Sequence, residues 1–190
     1  SAHGWSEEPW RAGAFTYHLP ENREIQRKKT GSGTKPARAA PYENADVLDN
    51  AYPDGRLAEH AVETMGRLAK REQPFFLAVG FFKPHLPFNA PRKYWDLYPE
   101  DTIKLPDNYR QKPKGAPQEA VHNSGELRAY HGVPRRGPVS DKMARNLIRG
   151  YYACVSYTDT LVGKLLEELD RLKLADNTII VLWGDHGWNL

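Results

Sequence analysis

Thr178-Ile179-Ile180-Val181-Leu182-Trp183, followed at once by Gly184-Asp185-His186-Gly187, is the stretch that decides how this chain is read. A short unbroken run of apolar and β-branched residues closed by a glycine turn has the signature of a strand buried on both faces. Ala175-Asp176-Asn177 supplies the turn that leads into it. Upstream, Ser140 stands as an N-cap with Asp141 in the first turn, and Met143, Leu147, Tyr151, Val155, Val162, Leu165, Leu169 and Leu172 follow a helical stripe. One long amphipathic helix is predicted there. Gly150 and Thr158-Asp159-Thr160 are the places where it can bend, because small and β-branched residues interrupt good helix formers.

Further back, Pro74 introduces Phe75-Phe76-Leu77-Ala78-Val79-Gly80-Phe81-Phe82, a second run of the same kind, expected inside a parallel sheet. Strand, long crossover, helix and strand then form a right-handed βαβ unit, so the fold class is α/β. Before that run, Leu57, Ala61, Val62, Met65 and Leu68 fall on one face of an amphipathic helix over residues 55–71, preceded by the turn Pro53-Asp54-Gly55. Residues 1–52 are rich in Pro, Gly and charge without a sustained period and read as irregular structure lying over something else. Four stretches result: irregular 1–52; helix, strand and site loop over 53–98; a long loop over 99–139 near the rim of an active site; and helix, strand and turn over 140–190.

Composition narrows the class. With 190 residues the chain is long enough for one domain, or most of one, with a real core. A hydrophobic share of 39% and a mean hydropathy of −0.73 confine that core to a few segments. No run approaches the roughly 18 apolar residues of a membrane span, and no signal-peptide pattern opens the chain. A net charge of +3 is too weak to argue for nucleic acid, so none is expected as a partner. The densest basic stretch, residues 23–38 with Lys28, Lys29 and Lys35, reads as a solvated loop; its rival is a polyanion-binding arm. Cys154 is the single cysteine, so no internal disulfide is available.

Asp185 and His186 offer a carboxylate oxygen and an imidazole nitrogen at the carboxyl end of a strand, where open α/β sheets bind ligands. The same two residues also suit a strand-to-helix turn that caps a helix and faces water. Lys83-Pro84-His85-Leu86-Pro87 ends the other run and should open on the same sheet edge. Lys83 and a protonatable His85 aimed at one point suit an anionic substrate, by offsetting charge or passing a proton to a leaving oxygen. A surface lysine and a packed histidine are the plainer alternative. Cys154, beside the apolar stripe, reads as a structural thiol. Asp159 reads as a helix-surface carboxylate, and Tyr94, Trp95 and Tyr98 as a packing patch.

Phe75-Phe76-Leu77-Ala78-Val79-Gly80 leading to Lys83-Pro84-His85, Tyr151-Tyr152-Ala153-Cys154-Val155-Ser156-Tyr157-Thr158-Asp159, Val162-Gly163 and Leu182-Trp183-Gly184-Asp185-His186-Gly187-Trp188 together resemble the sulfatase family, and more loosely so does the Trp5 to Trp10 region. The resemblance is strongest to the branch of iduronate-2-sulfatases and their bacterial relatives, and it spans nearly the whole chain. It implies an alkaline-phosphatase-like, parallel-rich sheet flanked by helices, of which this chain is an internal fragment and partial domain. It implies sulfuric ester hydrolysis of sulfated sugars or glycosaminoglycan units, with Ca2+ as cofactor and a formylglycine nucleophile made within a Cys/Ser-x-Pro/Ala-x-Arg motif. No such motif occurs here, and Cys154, followed by Val155-Ser156-Tyr157-Thr158, does not supply it. Asp185 and His186 become metal ligands by that resemblance, His85 contacts the sulfate or leaving group, and Lys83 stands beside it. The implied location is periplasmic, secreted or lysosomal, and the chain alone is expected to be inactive. Two rivals remain: a phosphatase or phosphodiesterase of the same superfamily with two zinc or manganese ions, and a non-catalytic polyanion-binding module.

Overall fold

A computed structural model describes residues 4–13, 17–29, 38–117, 119 and 123–188. In chain order the elements are α1 (Pro20–Lys29), β1 (Tyr42–Glu43), α2 (Pro53–Leu68), β2 (Phe88–Asn89), α3 (Arg92–Trp95), α4 (Gly125–Arg128) and α5 (Asp141–Arg171). Single 3-10 turns stand at Asp49–Ala51, Glu100–Thr102 and Ala175–Asn177.

The long helix forms as its pattern predicts. Ser140 caps α5 by accepting a hydrogen bond from the Met143 amide at 3.2 Å. The helix then runs for 31 residues, about 46 Å at the standard rise, without a break. Gly150 is where other elements cross it closely rather than where it bends. A Cβ there would stand 2.9 Å from both the Phe88 Cβ and the Trp95 ring, so only glycine lets β2 and α3 lie against the helix. Ala153, Cys154, Tyr157 and Leu161 continue the buried face, and α2 meets it with Ala58, Ala61, Met65 and Leu68. Each fully buried large side chain there contributes about 1.5–3 kcal/mol.

Pro53 occupies the first position of α2, where its missing amide costs nothing, and the expected turn at Pro53-Asp54-Gly55 is the first turn of the helix itself. Gly55 lies under the Asp49–Ala51 turn, since a Cβ would come within 2.0 Å of the Asp49 carbonyl oxygen. Asp49 joins three elements. Its carboxylate takes Lys93 at 2.8 Å, Lys164 at 2.9 Å and the Tyr94 hydroxyl at 3.0 Å, while its carbonyl accepts from the Tyr157 hydroxyl at 2.7 Å.

Two parts of the sequence reading are corrected. Residues 1–52 are not irregular throughout, because α1 forms within them and is capped from a distance. The buried Glu43 carboxylate accepts from the amides of His18 at 2.7 Å and Leu19 at 3.0 Å, from the Asn22 side chain at 3.0 Å and from the Tyr52 hydroxyl at 2.8 Å. That carboxylate gathers the amides of the two residues leading into α1 and the side chain of Asn22 in its first turn, near the positive end of the helix. The basic stretch 23–38 is accordingly helical up to Lys29, with Lys28 paired to Glu24, and residues 30–37 lie outside the described residues.

The second correction concerns the sheet. Among the described residues the sheet is the parallel pair β1–β2, with Tyr42 opposite Phe88 and Glu43 opposite Asn89. The runs 75–82 and 178–183, expected as buried strands of a βαβ unit, are not assigned as strands. Residues 75–82 alternate between half-buried and exposed, with Phe76 78% exposed, and Ile179 and Leu182 are 92% and 77% exposed. A strand buried on both faces is made by its neighbours, and among the described residues the sheet ladder is the β1–β2 pair alone.

Candidate functional site

The loop of residues 83–87 is held from beneath by α2 and α5. Asp54, buried in the first turn of α2, accepts from the Phe82 amide at 3.1 Å and the Lys83 amide at 2.8 Å. Thr158 of α5 donates its hydroxyl to the Lys83 carbonyl at 3.4 Å. These bonds stop the extended run and turn the chain. Both proline peptides of the loop, Lys83-Pro84 and Leu86-Pro87, are cis.

Lys83 is buried, and its ammonium donates to the carbonyls of His85, at 2.9 Å, and Pro87. It therefore draws its own loop together, with the Phe82 ring 5.6 Å away. Burial pushes the Lys83 ammonium below the usual lysine range, against the opposing pull of Asp54 and Glu126.

His85 has a defined orientation. Its Nδ1 lies 2.7 Å from the Leu86 carbonyl oxygen, and since a carbonyl only accepts, Nδ1 carries a proton. Chemistry is left to Nε2. That nitrogen faces Glu126 Oε2 at 3.5 Å, and the Phe82 ring meets the imidazole edge-on at 4.5 Å. The His85 side chain remains 32% exposed, so a ligand can reach it.

Asp185 and His186 sit in the turn after the second apolar run. The Asp185 carboxylate accepts from the His186 amide at 2.9 Å, and its second oxygen is 3.8 Å from His186 Nε2. Both side chains are exposed. The turn then returns to the core, where Trp188 packs edge-on against Phe88 at 5.8 Å, and Phe88 in turn against Tyr151 at 5.6 Å. The two expected clusters are thus linked through Trp188 and Phe88, the latter three residues beyond His85. Lys83 and His85 share one loop, Asp185 and His186 share another, and the packing between these regions runs from Trp188 to Phe88 of β2, outside both pairs.

A hard divalent cation needs about six to eight oxygen donors, and no group of three or more His, Cys, Asp or Glu able to hold a metal occurs among the described residues. Asp185 offers a carboxylate and His186 an imidazole nitrogen, and two such exposed side chains do not by themselves make a closed site. Cys154 is fully buried at 3.8 Å from the Asn89 carbonyl, and burial pushes its thiol up to about 12, which suits a packed structural thiol and not a nucleophile. Tyr94 and Trp95 are buried in the core, Tyr98 bonds Ser156 at 2.7 Å, and Asp159 is exposed, as their plainer reading predicted.

Sequence reasoning missed Asp54, Thr158 and Glu126. Asp54 looked like a turn residue, and its carboxylate acts on amides far along the chain. Glu126 lies in the excursion 99–139, which has no period; it is carried by α4, whose Arg128 binds the carbonyls of Asn123 at 2.8 Å, Pro134 at 2.6 Å and Gly137 at 2.8 Å.

The sequence matches the protein family described as Sulfatase over residues 2–190. It is 35% identical over 201 residues to human iduronate 2-sulfatase, covering 100% of this chain and 35% of that protein. It is 32% identical over 180 residues to a sulfatase of Formosa agariphila, covering 90% of this chain and 34% of the relative. Identity to the choline-sulfatase of Rhizobium meliloti is 33% over 150 residues, or 75% of this chain and 28% of that one. The chain spans about a third of the length of the curated relatives it matches.

Proposed function

The chain belongs to the sulfatase family, of alkaline-phosphatase-like type, and from that premise we propose that it forms part of a sulfuric ester hydrolase acting on sulfated sugars or glycosaminoglycan units. One observation carries the proposal: a one-third-exposed imidazole on an anchored loop, fixed at Nδ1 by a backbone carbonyl and with Nε2 turned toward the Glu126 carboxylate at the surface. Such a group can hand a proton to an ester oxygen as its bond to sulfur breaks. A nucleophilic oxygen is what a formylglycine supplies, and residues beyond these 190 would have to carry it.

In this reading Asp54 and Thr158 set the height of the loop and Lys83 draws its carbonyls together. His85 then meets the leaving oxygen through Nε2. Asp185 and His186 are proposed as two donors to a Ca2+ ion, whose chemistry is to offset charge on the sulfuryl oxygens. No described helix is long and apolar enough to cross a membrane. A periplasmic, secreted or lysosomal setting goes with the family reading.

The test is a substrate and metal survey of the complete polypeptide that contains these residues. Sulfate esters should be hydrolysed in preference to matched phosphate monoesters and diesters, with one calcium bound per chain. Preference for phosphate esters with two transition metals per chain would overturn the reading in favour of a phosphatase or phosphodiesterase of the same superfamily.

A further inference from the structure

Glu126 reaches His85 from α4, a part of the chain in which the sequence showed no pattern at all. Its Oε2 faces Nε2 at 3.5 Å, while its other oxygen, Oε1, lies 3.8 Å from Arg38 Nη2. The placement is built, not incidental. Arg38 also donates to the Glu126 backbone carbonyl at 3.1 Å and lies over the Tyr130 ring at 5.1 Å. Buried Leu127 and the Arg128 bonds to three carbonyls hold the turn of helix behind it.

We propose that Glu126 is a positioning residue for His85, holding the ring with a proton on Nε2 aimed toward the leaving oxygen of the ester; the inference rests on the sulfuric-ester reading above. Because Nδ1 already donates to the Leu86 carbonyl, the neutral ring would present a bare nitrogen lone pair to a carboxylate oxygen, which repels it. With Nε2 protonated the contact becomes attractive. Around the ring stand the Glu126 carboxylate at Nε2 and the Phe82 ring edge-on, while the Lys83 ammonium binds the His85 backbone carbonyl. Both side chains are about one-third exposed, so a leaving oxygen can enter beside the carboxylate.

The step balances simply. A deprotonated oxygen nucleophile gives its electron pair to sulfur, the bond from sulfur to the ester oxygen breaks, and that oxygen keeps the released pair and takes the Nε2 proton. Neutral imidazole remains, its Nδ1–H still donating to the Leu86 carbonyl, and Glu126 exchanges no proton. A leaving alcohol depends on that proton, whereas an acidic phenol departs without it.

Steady-state hydrolysis by the complete polypeptide tests the assignment, with a sulfated sugar and an aryl sulfate of an acidic phenol compared in Glu126→Gln. The expected result is a fall in kcat/KM of about tenfold on the sugar sulfate and less than twofold on the aryl sulfate. His85→Asn, run beside it, should show the same selectivity with a larger loss. Equal loss on both substrates in Glu126→Gln, or no loss on either, while His85→Asn stays selective, would overturn the role of Glu126 and leave the sulfatase reading standing. Non-selective loss in His85→Asn would overturn the reading of His85 itself. Glu126→Asp keeps the charge with a shorter reach and serves if the Gln variant does not fold. It should show a smaller selective loss, and an equal loss on both substrates would count against the proposal.

Discussion

The face between α2 and α5 and the two apolar runs at 75–82 and 178–183 are made of similar residues and have opposite fates. Ala58, Ala153, Tyr157 and Leu161 lose essentially all contact with solvent, while Phe76, Ile179, Leu182 and Trp183 stay more than three-quarters exposed. A helix satisfies its own backbone and needs one apolar neighbour to bury its stripe. A doubly buried strand needs a ladder partner on each side and a layer above and below. The first requirement is met within these residues and the second is not. Burial therefore separates a sealed helical half from an open half that holds the two extended runs, and the two candidate loops sit at the ends of those runs.

The largest expected effect follows from that division. Purified as these 190 residues alone, the chain should release no measurable sulfate from a synthetic aryl sulfate with calcium added, whereas the complete polypeptide should turn it over. Detectable release by the short chain would break the division outright. A stability contrast sharpens it. Leu161→Ala should destabilise the short chain by about 2–5 kcal/mol in denaturant titration. Ile179→Ser should change it by no more than about 0.5 kcal/mol, because Ile179 is 92% exposed. In the complete polypeptide the Ile179 substitution should become costly, and a cost that stays negligible there would mean the run never joins a sheet.

Much of the sealed half was legible. The stripe from Met143 to Leu169 and the Ser140 cap gave α5, and Leu57 to Leu68 gave α2, because an amphipathic period records one buried face directly. The runs at 75–82 and 178–183 were legible only as apolar strands-in-waiting: their composition records a burial that other parts of a sheet must supply. α1 was illegible because Pro20-Glu21-Asn22-Arg23 and the residues after it carry no apolar stripe; its start depends on Glu43, met only after a long gap. At the site, Lys83, His85, Asp185 and His186 announced themselves by residue type beside strand ends. Asp54 and Glu126 did not, since each acts on a group distant in sequence and close in space.

Two smaller effects probe how the sealed half is tied together. Glu43→Gln keeps the shape of a buried carboxylate but turns one acceptor oxygen into a donor facing other donors, and should cost about 1–3 kcal/mol by thermal or denaturant unfolding. A neutral result would mean α1 does not depend on that cap. Asp49 gives a pH signature. Desolvation pushes its carboxyl up, but hydrogen bonds from Lys93, Lys164 and Tyr94 prevail and hold it below its ordinary value of 3.8. A depressed carboxyl contributes stability that is present above the unfolded-state value and lost as pH falls through the folded one. Asp49→Asn should therefore be less stable than wild type by about 1 kcal/mol at neutral pH, with the gap closing below about pH 4. A gap that does not change with pH would remove the charge from the explanation.

The most direct measurement is kcat/KM for a sulfated monosaccharide in the complete polypeptide, wild type against His85→Asn, with circular dichroism to confirm an unchanged fold. If the anchored imidazole delivers the proton, the variant should fall by about a hundredfold or more. A variant within twofold of wild type would contradict it.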